Sequence, residues 1–369
     1  MSSQTFIRLS DAFGNDPQWL KDWTTVDYAR VENGTAPITL TLPGHYSEDQ
    51  FTKDRRIEVW RSVDGASPYL DLDTLYLIDD WEQHTRGKLV SYSVYGQDLN
   101  CLLDRRWVDY AEGVAQADKT ALADNLGKAI MRENFGASAT DATRSIASLL
   151  TVAPDLGAAP SVHIEFADRR VSDVLRDIAA LSFQRGTYLV FDVVAATPPT
   201  GFEFRSYTGQ RGVDHRFPGG SPPLLIGPDF GNLVDATVSR QTRQVITRAI
   251  SLGSGLGLNQ AKQREDDATL QGESPFGLIE GMVNASRTGE STALQAAARS
   301  YLKASRPRRA LTATLSETSG LRYGIDWKWG DFVTAQVRGR SFDCHIPGVR
   351  VVRERDGGET VTPTMRGSE

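Results

Sequence analysis

The chain has 369 residues with 41 Lys and Arg, 47 Asp and Glu and five His, a formal net charge of −6; that length exceeds one ordinary core, so about two to four packed units are expected. A mildly acidic balance with interspersed signs argues against general nucleic-acid binding. No apolar run approaches the roughly 20 residues of a membrane helix, and the opening SSQTFIRLSD lacks the blocks of a secretory signal, so assembly in the cytoplasm without stable membrane insertion is the expectation.

Strand signals fill the first 105 residues. Tyr28 to Val31 runs into the Asn33-Gly34 turn, Pro37 to Leu42 alternates β-branched and apolar residues before Pro43-Gly44, and Arg56 to Arg61 places Ile57 and Val59 opposite Arg56, Glu58 and Trp60. After Asp64-Gly65, Leu75 to Trp81 and Lys88 to Gly96 complete four or five strands, enough for a small barrel or sandwich. The period then changes: Asn100 to Arg106, and Lys119 to Phe135 with Leu122, Leu126, Ala129 and Ile130, carry helical spacing. Ala153 to Pro160 reads as a connector.

From Val162 to Val194 the pattern is strand, helix, strand, with Val171, Val174, Leu175, Ile178 and Leu181 on the helix core face, Ser172 or Asp168 near its cap and Gly186 at its end. Gly201 to Tyr207 adds a strand, and Gly219-Gly220-Ser221-Pro222-Pro223 marks a loop. Leu233 to Ser251 suggests a long hairpin, Ala261 to Pro275 a mobile polar loop, and Glu290 to Ser305 a helix. Leu311 to Leu315 restarts the β-pattern. Tyr323 to Met365 reads as a barrel of hairpins with turns at Gly339, Pro347-Gly348 and Asp356-Gly357-Gly358.

Motifs that carry chemistry are weak throughout. Gly253-Ser254-Gly255-Leu256-Gly257 misses the dinucleotide spacing and has no Gly-Lys-Ser/Thr, so it reads as a hairpin tip. His45, His84, His163, His215 and His345 show no pairing at i+3 or i+4, and adjacent Cys344 and His345 point to opposite faces of a strand. Asp214-His215 reads as an exposed turn, and Asp71, Asp73, Asp79 and Asp80 lack a calcium-loop frame. Glu165 and Asp168 are too common a pair to specify a glycosidase, and no nucleophile elbow or His-Glu-x-x-His occurs. Cys101 and Cys344 read as buried free thiols. Asn33-Gly34-Thr35 and Asn284-Ala285-Ser286 match glycosylation acceptors that have no use without a secretory signal. Arg105-Arg106 and Arg306-Pro307-Arg308-Arg309 are the densest basic spots, read as a surface face, with subunit pairing or passing DNA as the functional alternative. No catalytic, cofactor-binding or metal-binding residue is assigned, and no cofactor is expected.

Two stretches carry a family resemblance. Tyr323-Gly324-Ile325-Asp326 leading to Gly330-Asp331-Phe332-Val333 resembles the C-terminal stretch of tailed-phage hub proteins. Ile57 to Arg61, Leu75 to Trp81 and Tyr92 to Arg106, with Gly-x-Asp-x-x-x-Leu-Leu-x-x-Arg from Gly96 to Arg106, look like the opening barrel of hub proteins of long non-contractile tails. The helix at Glu290 to Ser305, then Leu311 to Leu315, then Tyr323 to Val333, follow in the same order. The resemblance implies an α+β, multidomain chain in which two tube-like β-barrel domains flank a helical and α/β middle. The expected units are a barrel at 1–105, a helical connector at 106–155, an α/β domain at 156–235, and a second barrel at 236–369 with an insertion at about 258–305.

It also implies a structural, non-enzymatic role at the virion tail tip. A homotrimeric ring would continue the tail tube, meet the distal tail protein ring, the C-terminus of the tape-measure protein and the tip and fibre proteins, and pass DNA only transiently, with no lysin appended to this chain. Two other classes stand beside it: a tail-tip peptidoglycan hydrolase, and a receptor- or carbohydrate-binding module with Trp327 and Trp329 as platforms.

Overall fold

The computed structural model describes residues 3–110, 116–139, 141–196, 201–219, 222–255, 257–284, 291–315 and 321–368. Eight strands form one continuous antiparallel run, in the order Leu233–Gln241, Arg308–Leu315, Glu359–Ser368, Arg340–Glu354, Thr25–Val31, Pro37–Pro43, Leu89–Asp98, Tyr76–Arg86. Beyond Tyr76–Arg86 the sheet continues through Arg56–Val63 and Ser3–Ser10 to the short Gln18–Trp19 strand. Ile7, Leu9, Ile57 and Val59 of that leg share one buried core with Val26, Leu40, Val94, Val351, Val361 and Met365. Both ends of the chain therefore build a single core.

This corrects the expectation of two barrels. Among the described residues no sheet closes, because the N-terminal and C-terminal halves pair with each other along Gly348↔Val31 to Glu354↔Thr25 rather than each closing on itself. The fold is mixed α+β with most strands in the shared sheet. Pro347-Gly348 is no turn either. It sits at a register shift inside the long Arg340–Glu354 strand, a place a residue without an N–H tolerates. Turns do form at Arg338-Gly339 and around Asp356-Gly357-Gly358.

The middle of the chain packs around a second core. The helices Ala123–Phe135 and Val171–Gln184 bury Leu126, Ile130, Val174 and Ile178 against Phe191 and Phe204 of the Leu189–Ala195 and Phe202–Thr208 pair. Lys119 is in a strand, Ala117–Leu122, which pairs with Ser161–Phe166; the expected helix begins only at Ala123. The Val171–Gln184 helix is preceded by Arg170 with no side-chain cap, and Gly186 follows it at φ 88°. The middle core reaches the sheet through Leu75, Leu77, Leu99 and Cys101.

Leu233 to Ser251 is not a hairpin. Leu233–Gln241 pairs with Arg308–Leu315, up to Gln241↔Arg308, so residues 242–307 leave and return between two adjacent strands. Within that excursion Arg248–Leu252 lies between Lys262–Asp266 and Glu280–Asn284, and the Ser291–Ala304 helix covers them with Ala298 and Leu302 on Ala249 and Ile246. The span expected as a loop at 261–275 is thus a strand and the Ala268–Gly272 turn of helix. Leu256, Gly220-Ser221, Ala285-Ser286 and Glu290, named in the sequence readings, lie outside the described residues.

Candidate functional site: the hydroxyl face of the continuous sheet

Alternation gives the eight-strand run two unlike faces. One face is the core. On the other, registered pairs bring Thr25 beside Thr41, Thr41 beside Ser93, Thr39 beside Tyr95, and Thr362 beside Arg350, all of them half-buried or exposed. Thr364, Thr237 and Ser239 continue that parity to the Leu233–Gln241 edge. The charges interspersed on it include Asp27, whose carboxylate accepts from Arg350 Nε at 2.8 Å, and the exposed Asp80, Glu82 and Asp235. The same parity also carries the exposed Arg350 and Arg366, so the face is hydroxyl-rich with scattered charges of both signs rather than a basic surface that would hold a passing polyanion strongly.

Two buried charge networks fix this sheet. Arg61 reaches Glu359 with two bonds, Nη1 to Oε2 at 2.9 Å and Nη2 to Oε1 at 2.6 Å, and lies over the Tyr323 ring at 4.7 Å. Beside it Asp71 accepts from the Tyr28 and Tyr323 hydroxyls at 2.7 and 3.1 Å. Burial pushes the Asp71 carboxyl upward against the pull of Arg61, and burial also raises the two tyrosines. The second network joins the middle unit to the sheet: Arg30 pairs with Asp98 at 2.7 Å and with Asp192, and donates to Val193 O at 3.0 Å. Burial works against the Arg30 charge, yet Asp192 and Asp98 hold it well above its usual value, whereas burial lifts Asp98 to about 6. Arg211 closes the group, stacked 3.6 Å from the Trp329 ring centre and 3.3 Å from Asp192.

The residues weighed in the sequence scatter. Trp327 and Trp329 are 1 % and 2 % exposed, which removes them as platforms. Cys101 and Cys344 are buried free thiols that burial pushes up to about 12. His215 is buried rather than in an exposed turn, its Nδ1 donating to Pro222 O (2.8 Å) with Asp331 3.6 Å away, while Asp214 serves Arg216. His345 meets Glu32 at 3.0 Å, and Phe332 stacks on it. His84 and His45 are exposed beside Glu82 and Asp22. Asp71 is sequestered by tyrosines and Asp79 by Arg105, so the acidic run forms no cation cage. Arg105 also holds Asp54 at 2.6 Å, and Arg106 caps Asn134 O and Arg144 O over Phe135, so this basic pair is structural.

Sequence reasoning missed Asp118, which stands across from Glu165 and brings an oxygen within 3.7 Å of His163 Nδ1; Glu165 is 3.4 Å from Nε2. These three are the group among the described residues whose donors converge enough for a metal. His163 Nδ1 is already engaged by Thr120 Oγ1 at 2.7 Å, and the carboxylates face different ring nitrogens, so the arrangement is a poor ligand set. A second missed feature is aromatic: exposed Trp19 meets Phe6 and Trp60 edge-on at 6.3 and 6.0 Å, with Arg8 over both indoles. Alternation on Ser3–Ser10 places Phe6 and Arg8 together, but their contact with Trp19 depends on a two-residue strand that no pattern announces.

With the geometry in view, the comparisons are consistent. The family model described as Siphovirus ReqiPepy6 Gp37-like protein matches residues 8–365. Similar solved structures include the 43 kDa tail protein of prophage MuSo2 from Shewanella oneidensis (TM-score 0.59, 13% identity, 98% of each chain covered) and a tail protein from Neisseria meningitidis MC58 (0.61, 14%, 98% of this chain and 96% of that one). Prophage tail protein gp18 from Listeria monocytogenes EGD-e is also similar (0.55, 11%, 97% and 94%). At these identities the likeness is one of fold. No curated protein sequence matches significantly.

Proposed function

Because the chain belongs to the Siphovirus ReqiPepy6 Gp37-like protein family, we propose that this tail protein is the structural hub of a phage tail tip. In that reading three copies form a ring that continues the tail tube, joins it to tip and fibre proteins and leaves a channel for the genome. One observation carries it: an eight-strand antiparallel run, apolar on the core side and hydroxyl-rich on the other, has among the described residues an unpaired outer edge along Leu233–Gln241 and no strand beside Tyr76–Arg86 from Asp79 onward. Such a sheet is completed by repetition around an axis. The hydroxyl face then lines the channel, and the distal tail protein ring and the tape-measure C-terminus are partners along the same axis.

No catalytic step is assigned to the chain. Among the described residues the group of three His and carboxylate donors close enough for a metal is Asp118, His163 and Glu165 at the surface, where Thr120 already engages His163 Nδ1. A second reading is favoured by the patch of exposed Phe6 and Trp19 beside half-buried Trp60, whose flat rings suit a sugar face in a receptor- or carbohydrate-binding module. Image averaging of tail tips carrying a labelled copy of this chain tests the main reading. A threefold ring around an open or plugged lumen is expected; a single copy on the outside of the tip, with glycan binding lost in Trp19→Ala, would favour the second.

A further inference from the structure

The small sheet inside the 242–307 excursion is covered on one side only. Ala249 and Glu265 face the Ser291–Ala304 helix, and alternation turns Ile250, Leu252, Lys262, Arg264 and Met282 to the opposite face. Among the described residues no second helix packs there. The central strand nevertheless suits cover on both sides. Arg248–Leu252 reads Arg-Ala-Ile-Ser-Leu, with apolar residues on each face, and it pairs in parallel with Glu280–Asn284; parallel sheets occur almost only with both faces covered. On the bare face Ile250 and Leu252 are half-buried, and Met282, the register partner of Ile250, is 68 % exposed. Residues 276–282 together hold four exposed large apolar side chains, Phe276, Leu278, Ile279 and Met282, a concentration that marks an interaction surface.

Charge and spacing identify what fits. On the covered face Glu265 meets Arg299 of the helix at 3.3 Å, and Gln263 Nε2 donates to Ser291 Oγ at 2.8 Å. On the bare face the same strand turns Lys262 and Arg264 outward, and neither forms an ion pair among the described residues. Arg248, by contrast, is held by Asp266 at 2.7 Å and closes that end of the face. Two strand residues advance about 6.6 Å and one helical turn about 5.4 Å. Side chains one turn apart on a helix therefore lie over Ile250 and Leu252, with a second row beside Arg264 and Lys262. This chain does not supply such a helix: Ala123–Phe135, Val171–Gln184 and Ser291–Ala304 already bury their apolar faces, and the last carries Arg299 and Lys303 where acids are needed.

We propose that the bare face of the excursion sheet docks an amphipathic helix of a different protein, with an apolar stripe over Ile250, Leu252 and Met282 and an acidic row beside Lys262 and Arg264. The five-residue central strand spans roughly 16 Å, so the contacting helix is about three turns long. The inference is independent of the ring and gives the excursion, which takes no part in the continuous sheet, a partner-binding role.

The test uses the full chain and two synthetic helical peptides of about 14 residues. Both carry the same leucine stripe, flanked in one by a row of glutamates and in the other by a row of lysines, and binding is read by fluorescence anisotropy. The glutamate peptide binds about tenfold more tightly than the lysine peptide. Met282→Ser weakens both by about fivefold, and Lys262→Glu with Arg264→Glu reverses the preference. These three side chains are exposed, and thermal melting verifies that the variants are folded; if one is not, the salt dependence of glutamate-peptide binding by wild type, weaker at high salt, decides instead. Equal binding of the two peptides, or no binding of either at millimolar concentration, overturns the proposal. So does uptake by phosphatidylglycerol vesicles without discrimination between the peptides, which would assign the face to a lipid surface. Self-association abolished by Met282→Ser would assign it to a second copy and overturns the proposal equally.

Discussion

Gly330 shows how a single backbone angle constrains this fold. It has φ 89°, and an added Cβ would lie 3.1 Å from Arg211 Cβ and 3.2 Å from Gly212 N. Gly330→Val is expected to cost about 1–3 kcal/mol from the backbone alone, more than Gly330→Ala, read as a lowered urea midpoint at fixed protein concentration. Glu359→Ala leaves Arg61 buried without its partner and should cost about 3–5 kcal/mol by the same measurement; a loss under 1 kcal/mol would mean that the Arg61 network does not hold the sheet together. Asp98 gives a pH signature. Its folded value of about 6 lies above the ordinary 3.8, so the folded chain binds the proton more readily, and the stability from this group is full below about pH 4 and lost as pH rises through 6. Asp98→Asn should flatten that part of the stability curve. The turn at Gly339 was legible in the sequence, but the burial of Arg30, Arg56 and Arg61 was not, because strand alternation assigns charged residues to water and these are rescued by partners 44 to 298 positions away.

At the scale of elements, local periodicity succeeded where pairing is local. The Tyr76–Arg86 and Leu89–Asp98 hairpin, the Val171–Gln184 helix and the final hairpins stand where the pattern puts them. It failed where a strand's neighbour is distant: Leu233–Gln241 reads as half of a hairpin with 248–252 but pairs with Arg308–Leu315 after a 66-residue detour. The polar alternation of Lys262–Asp266 looks like a loop because one side of that small sheet faces solvent. Since Gln241 and Arg308 are register partners, replacing residues 243–306 by a tight turn should leave the main sheet folded, with an unchanged far-UV strand signal and a protease-resistant remainder. Collapse to a proteolysed chain would show that the excursion is integral to the core.

For the whole molecule, the two-barrel expectation and the observed open sheet differ through a single set of contacts, the pairing of Thr25–Val31 with Arg340–Glu354. Interactions between the first and last parts of a chain leave no periodic trace, so the sequence could indicate the β-rich ends and the α/β middle but not that the ends are one sheet. If the hydroxyl face lines the channel, Thr39→Arg with Thr41→Arg should leave assembly intact yet slow genome release, since added cations hold DNA phosphates; normal plaque yield with intact rings would remove that face from the channel. The central claim is that an open sheet is completed by three copies. Native mass spectrometry of the purified chain tests it most directly: the account predicts a species at three times 40.5 kDa, and a monomer persisting at micromolar concentration and low salt would contradict it.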